Sequence, residues 1–163
     1  MRNALRRFAL AVVLTPAAIG AALLTTTPAQ AAPAKAGETA LQNQINQLIN
    51  AERTQHGCTA LKVNAALTAA ARGHSAWMAQ TGTFSHTGRS NSNFVARSKA
   101  AGYTKPSAEN IAWGYRSAAQ VVNGWMNSPG HRTNILNCKS KTVGVGVVFS
   151  ASGAPYYTQD FGY

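Results

Sequence analysis

The sequence predicts an α+β domain in which helices pack on an antiparallel sheet, and two observations indicate this class. Residues 39–126 contain amphipathic segments whose apolar residues recur every three or four positions. After Cys138 the period changes to two, because valines alternate with glycines over residues 143–149. A turn at Ser152-Gly153 then leads into a second run over residues 156–161. Helices first and a terminal hairpin afterwards are typical of the α+β class.

Capping residues and glycines set the bounds of four predicted helices. Thr39 and Ser117 each begin a capping box, because a glutamine follows three residues later. Asn64 is a candidate N-cap for the second helix, and Gly82 is suited to end it. Residues 111–115 form a further candidate strand beside the terminal hairpin. The predicted helices run from 39 to about 56, from 64 to 82, from 94 to 102, and from 117 to the Ser-Pro-Gly break at 128–130.

The N-terminus has the pattern of an export signal. Three arginines within the first seven residues give a basic start, residues 8–24 are uncharged and apolar, and Ala29-Gln30-Ala31 is a small-x-small cleavage site. A membrane anchor is the alternative, but Pro16 and Gly20 interrupt the apolar stretch. We therefore expect a secreted protein without a transmembrane anchor after cleavage. The predicted organisation is a signal peptide at 1–31, a flexible lead-in at 32–38 and a single domain at 39–163.

The two cysteines are consistent with export. Cys58 and Cys138 both follow the predicted signal, and neither belongs to a C-x-x-C pair or a metal-ligand cluster. In an oxidising compartment they are expected to pair with each other. Two buried free thiols are the alternative.

Charge restricts the class of partner. The chain has 15 lysines and arginines against 4 acidic residues, a formal net charge of +11. Such an excess suits anionic partners such as lipid head groups or wall polymers. After the predicted signal the basic residues are scattered singly and do not alternate with aromatics, so we expect no nucleic-acid partner. We expect a monomer that binds an unknown ligand, either a lipid or an anionic polymer of the cell envelope.

Candidate residues for chemistry are few, because the chain has only 4 histidines and 4 acidic residues. Glu109 lies where a loop is expected to enter an apolar strand, so it either faces a cleft or holds the loop by hydrogen bonds. His86 and His131 both lie beside turn residues. Two imidazoles and a carboxylate suit acid–base hydrolysis or a zinc site, but no H-E-x-x-H motif is present.

Other polar residues have structural interpretations. His74 lies on the apolar stripe of the second helix, where a histidine is more often a hydrogen-bonded core residue than a ligand. Glu52 and Arg53 are interpreted as a surface or structural ion pair. The glycines at 144 and 146 alternate with valines, where glycine permits close backbone packing.

A series of short segments follows in order along the chain. They are Asn50-Ala51-Glu52-Arg53, Phe84-Ser85-His86, Glu109-Asn110-Ile111, Ser128-Pro129-Gly130-His131-Arg132 and Thr158-Gln159-Asp160-Phe161. In order and spacing this series resembles the CAP superfamily (cysteine-rich secretory proteins, antigen 5 and pathogenesis-related 1) in its compact bacterial form. The resemblance implies a three-layer α-β-α sandwich with a cleft around two histidines and two glutamates.

The resemblance also identifies which cleft residues this chain keeps. His86 and Glu109 match the first histidine and the first glutamate of the family pattern. Ser128 stands where that pattern has the second glutamate, and Tyr156 stands where it has the second histidine. His131 belongs to the bacterial variant of the segment.

The missing acid favours binding over catalysis. We predict a secreted CAP domain that binds a lipid, a small molecule or an envelope component without catalysis, with His86, Glu109, His131 and His74 at its cleft. The alternative is a metal-dependent hydrolase or protease acting on peptide or cell-wall polymer, with zinc held by His86 and His131. A third class is an adhesive envelope protein that binds through its positive charge.

Overall fold

The computed structural model describes residues 36–163, so the predicted signal peptide and residues 32–35 of the lead-in lie outside it. Within that part of the chain five helices surround one sheet of four strands. The elements are α1 (Ala36–Gln55), β1 (Lys62–Val63), α2 (Ala65–Thr81), α3 (Phe94–Ala100), β2 (Pro106–Trp113), α4 (Ala118–Met126), α5 (Pro129–Ile135), β3 (Thr142–Phe149) and β4 (Pro155–Gly162), with a 3-10 turn at Arg89–Asn91.

The sheet has the strand order β1-β3-β4-β2, which makes β2 an edge strand. β3 and β4 form the predicted antiparallel hairpin, β2 pairs antiparallel with β4, and β1 pairs parallel with β3. In this register Asp160 of β4 lies opposite Glu109 of β2 on one side and opposite Gly144 of β3 on the other. The α+β class and the terminal hairpin are confirmed.

Helices cover both faces of the sheet, as the predicted three-layer sandwich requires. On one face the alternate strand residues Val143, Val145 and Phe161 pack in a core with α1 and α4. On the other face α2 lies directly against glycines, because a Cβ at Gly144 would lie 2.1 Å from the backbone of α2, and one at Gly146 would lie 2.3 Å from it. The close-packing interpretation of these glycines is confirmed.

The start of α1 differs from the prediction. The helix already includes Ala36, so Thr39 is not its N-cap and residues 36–38 are not a flexible lead-in. The predicted capping box is absent because the Gln42 side chain does not turn back towards Thr39. Its Oε1 accepts a hydrogen bond from Arg72 at 2.7 Å and another from the Val147 N–H at 3.3 Å. Gln42 therefore ties the helix to the sheet.

Two further local predictions are corrected. α4 ends at Met126, just before the predicted Ser-Pro-Gly break, but that segment also begins a further helix, α5, because proline is tolerated at the first helical position. His131 is therefore helical. β2 begins at Pro106, so Glu109 lies within a strand and not at the end of a loop. The caps of α2 are confirmed: the Asn64 side chain accepts from the Leu67 N–H, and Gly82 has a φ of 69°.

The disulfide and a buried arginine join the end of α1 to the segment after α5. Cys58 and Cys138 form the predicted bridge. Arg53 is fully buried, so the predicted surface pair with Glu52 is wrong. Its guanidinium donates to four backbone carbonyls, at distances of 2.6–3.1 Å. These acceptors are the carbonyls of Thr59, Ile135, Asn137 and Ser140. In residues 36–163, no helix is both long enough and apolar enough to cross a membrane.

Candidate functional site

The centre of the site is a contact between His86 and Glu109. His86 Nδ1 lies 2.8 Å from Glu109 Oε1, and because a carboxylate only accepts, Nδ1 carries the proton. The Glu109 side chain is 1% exposed, whereas that of His86 is 58% exposed. The strand therefore buries the acid and the loop presents the imidazole to solvent. With Nδ1 engaged, Nε2 is the ring atom that remains for a ligand.

Arg97 of α3 completes this contact and was missed by the sequence analysis. Its Nη2 donates to Glu109 Oε2 at 2.5 Å, so both oxygens of the carboxylate accept hydrogen bonds. Burial alone would raise the pKa of Glu109, but the hydrogen bond from His86 and the charge of Arg97 outweigh it and lower that pKa. Glu109 is therefore a carboxylate that orients His86.

The loop that carries His86 is held by side chains of α2 and α3. His74 of α2 is 1% exposed and its Nε2 donates to the Ser85 carbonyl at 2.9 Å, as the core interpretation expects. Burial lowers the pKa of His74 to about 4, although the charge of Glu109 opposes this shift, so the ring is neutral at pH 7. Arg97 also donates to the His86 carbonyl, and Gly88 fits tightly against His74. His74 therefore supports the loop from within the core.

His131 approaches the same strand from the other face of the sheet. It lies on α5, and its carbonyl accepts a hydrogen bond from Asn110 Nδ2 at 3.3 Å. Burial lowers the pKa of His131, and the charge of His86 lowers it further, so the two rings interact electrostatically. Asn110 also bonds to Gln159 and Asn134, a polar network that holds α5 against β2.

A cleft of about 290 Å³ adjoins His131 at the outer edge of β2. Its exposed aromatic residues are Phe84 and Trp113, 51% and 55% exposed, together with Tyr115. Its other lining residues include Ile111, Ala112, Gly124, Trp125 and Ser128. The cleft is therefore largely apolar and rich in aromatic rings, and among the described residues it has no acidic side chain in its lining.

Neither of the two positions that depart from the family pattern has a carboxylate or an imidazole to replace the missing groups. Ser128 lines the cleft and is the N-cap of α5, but its side chain makes no capping hydrogen bond. Tyr156 is 6% exposed and packs with Met78 and Ile111. A second acid, Asp160, is nevertheless present beneath the site, opposite Glu109 in the sheet. No sequence signal identified Asp160 as a partner of Glu109.

The alternative of a zinc site does not fit this set of donors. Catalytic zinc usually has three protein ligands and keeps a fourth position open. Glu109 already accepts bonds at both oxygens, which leaves the imidazoles of His86 and His131. Within the described part of the chain, no group of three or more His, Cys, Asp or Glu residues is placed to hold a metal ion. We therefore derive no chemical step through a metal.

Comparisons with known proteins agree with the fold and the motif series. The sequence model of the "Cysteine-rich secretory protein family", or CAP, matches residues 47–161. The uncharacterized protein YkwD of Bacillus subtilis is 37% identical over 123 residues, which cover 75% of this chain and 47% of that protein. The uncharacterized membrane protein YlbC of the same organism is 34% identical over 125 residues, covering 76% and 35%. The chain thus spans less than half the length of these relatives.

Solved structures give the same result. An extracellular protein with an SCP domain from Bacillus anthracis superposes with a TM-score of 0.71 at 29% identity, over 80% of this chain and 44% of that one. An outer surface protein of Borrelia burgdorferi has a TM-score of 0.67 at 20% identity, over 74% and 90%. The second likeness concerns the fold alone.

Proposed function

The chain belongs to the CAP family of cysteine-rich secretory proteins, and on that premise we propose that it binds a ligand in its cleft without catalysing a reaction. The observation that supports the proposal is the hydrogen bonding of the Glu109 carboxylate. Both of its oxygens accept hydrogen bonds, one from His86 and one from Arg97. A general acid or base must exchange a proton with a reacting group within hydrogen-bond reach. Glu109 is 1% exposed and both of its oxygens are engaged within the protein, so it orients His86 and does not itself reach a reacting group.

The aromatic wall supplies the surface for an apolar part of the ligand. Trp113 packs beside Tyr156, with ring centroids 6.2 Å apart. Tyr115 lies over Gly124 so closely that a Cβ there would be 2.3 Å from its hydroxyl, and the Tyr115 carbonyl accepts from Tyr157 at 2.6 Å. These contacts hold the rings in place before binding. Preorganised exposed aromatic surface is typical of binding sites.

The imidazoles supply the polar part of recognition. His86 presents Nε2 to solvent, and His131 lines the cleft itself. The acidic groups nearby are Glu109, which is paired, and Asp160, which is fully buried. The cleft therefore suits a ligand with a flat apolar face and an anionic or hydrogen-bonding group. Lipids and polymers of the cell envelope have this composition, and the excess of basic over acidic residues favours an anionic surface.

Native mass spectrometry of the protein produced from its full chain tests the proposal. We expect a co-purifying mass, or binding to phosphatidylglycerol vesicles or to insoluble cell-wall polymer. Trp113→Ala should weaken that binding by about tenfold, because one well-packed aromatic contributes more than about 1 kcal/mol. Phe149→Ala is the matched control, because Phe149 is also an exposed aromatic, 39% exposed, and does not line the cleft. Equal effects of the two variants would contradict binding in the cleft.

Calorimetric titration with zinc distinguishes the binding proposal from the alternative of a metal-dependent hydrolase. We expect no zinc binding that depends on His86, because the donor set is incomplete. Zinc binding that is lost in His86→Ala, together with hydrolysis of a peptide or of cell-wall polymer, would replace the binding proposal with the enzymatic one.

A further inference from the structure

Asp160 is the one aspartate of the chain and is completely buried. It lies in β4 between Glu109 of β2 and Gly144 of β3. The backbone of α2 packs directly on Gly144, which closes that side of the carboxyl group to water. Among the described residues no donor reaches either oxygen of Asp160. A buried carboxyl group in this setting needs another way to satisfy its oxygens.

Around Asp160 the charge of Arg97 favours the ionised form of the carboxyl group, but burial and the like charge of Glu109 outweigh this effect. Glu109 faces it from β2 and is itself a carboxylate, so two negative charges would lie side by side. Arg97 faces it from α3, but its hydrogen bonds go to Glu109 and to loop carbonyls. His74 of α2 is neutral, and His86 donates to Glu109. An ionised Asp160 would therefore be buried, without a donor, beside a like charge.

We propose that Asp160 is a positioning residue, which remains protonated at neutral pH and donates its O–H to the carboxylate of Glu109. Glu109 then accepts from three groups, and the three together fix the direction in which it holds the His86 ring. Asp160 supports the site from within the sheet and touches no ligand. The inference goes beyond ligand binding and does not depend on it.

The titration behaviour of the two acids is consistent with this arrangement. Burial raises the pKa of Asp160 well above its usual range, and the charge and hydrogen bond of Glu109 raise it further. The pKa of Glu109 is lowered, because its bonds and the charge of Arg97 outweigh burial. The single proton of the pair therefore belongs to Asp160, and the negative charge belongs to Glu109.

The composition of the chain allows a direct measurement without mutation. Because Asp160 is the one aspartate, ¹³C-labelled aspartate gives a single side-chain carboxyl signal in NMR spectra of the full-length protein. We expect this signal to keep the chemical shift of a protonated acid at pH 7. A signal that titrates near pH 4, as an ordinary aspartate does, would overturn the proposal.

Two substitutions test the positioning role separately from the fold. Asp160→Asn keeps a hydrogen-bond donor beside Glu109, whereas Asp160→Leu removes it. The readout is the exchange rate of the His86 Nδ1 proton in ¹⁵N-labelled protein whose fold is verified by circular dichroism. We expect exchange near the native rate in Asp160→Asn and about tenfold faster in Asp160→Leu, as the loss of one hydrogen bond predicts. Equal rates in the two variants would refute the role.

Should both variants fail to fold, infrared spectra of the unmutated protein decide the same question. A carbonyl band of a protonated carboxylic acid is expected at pH 7, and ¹³C-aspartate should shift it. Absence of that shift would show that Asp160 is ionised and would overturn the inference. Glu38→Gln is the matched control, because Glu38 is a buried acid paired with Arg72, and its replacement should leave the band unchanged.

Discussion

Replacement of Arg53 by methionine should destabilise the domain more than most single substitutions do. The guanidinium donates to four backbone carbonyls at 2.6–3.1 Å, and the residue is 0% exposed. Hydrogen bonds to a charged group contribute about 1.5–3 kcal/mol each, and a buried carbonyl without a donor costs about 1–3 kcal/mol. Methionine fills a similar volume but donates nothing.

The desolvation of the buried cation offsets part of this loss. Burial lowers the pKa of Arg53, which indicates that the charged form is poorly solvated in the fold. We therefore expect a net loss of about 3–5 kcal/mol, which is less than the sum of the costs of four buried carbonyls without a donor. A domain of this size is stable by about 5–15 kcal/mol, so the variant should approach the limit of folding.

Urea unfolding with the disulfide intact measures this loss. Arg53→Lys should have an intermediate stability, because an ammonium has three donors and no planar fork. Arg116→Met is the matched control, since Arg116 is exposed, and a surface change should remain within about 0.5 kcal/mol. If Arg53→Met stayed within about 1 kcal/mol of the native protein, the assignment of these bonds as a stabilising connection would be incorrect.

Three further outcomes follow from packing, titration and cross-linking. Gly146→Ala should lower the free energy of unfolding by about 1–3 kcal/mol, because the new Cβ would lie 2.3 Å from the backbone of α2. Gly73→Ala should instead stabilise α2, because a Cβ at Gly73 has open space around it. Coinciding unfolding curves of the two variants would contradict this prediction. His74 has a pKa of about 4 in the fold, below its unfolded value of 6.5. Its contribution to the free energy of unfolding is therefore fully present above pH 6.5 and is lost as the pH falls towards 4. Between pH 7 and 5 the native protein should lose about 2 kcal/mol more than His74→Phe, and parallel stability curves would argue against a neutral buried ring. Reduction of the bridge between Cys58 and Cys138 should add two protons to the mass and cost up to about 4–5 kcal/mol, and an unchanged mass would exclude the bridge.

The elements whose signals are local were predicted from the sequence. Asn64 and Gly82 cap α2 at the expected positions, because an N-cap side chain and a left-handed glycine act on their own helix. The terminal hairpin was predicted for the same reason, since alternation and a Ser-Gly turn are short-range features. The contact of His86 with Glu109 was not derivable from spacing. That both residues belong to one cleft with His131 stays a prediction, because the cleft beside His131 is lined by neither of them.

The residues that the sequence analysis missed have distant partners. Arg97 reaches Glu109 only because α3 packs against β2, and Asp160 lies opposite Glu109 only in the observed strand register. Arg53 bonds to carbonyls that lie more than 80 residues away in three of its four contacts. A pattern search within one segment contains no information on such pairs. In a chain with 4 acidic residues, however, few carboxyl groups are available to partner any given basic or polar group. The small number of acids therefore narrows the choice of partners from the sequence alone.

The edge position of β2 explains why the cleft lies where it does. An unpaired strand edge exposes backbone groups that invite another strand, and proteins cover such edges with side chains or helices. Here Trp125 Nε1 donates to the Ile111 carbonyl at 3.2 Å, and Asn134 Nδ2 lies 3.4 Å from the Glu109 carbonyl. These donors come from α4 and α5, the same two helices that bring Trp125 and His131 to the cleft. The helices that protect these two edge carbonyls thus also form one wall of the cleft.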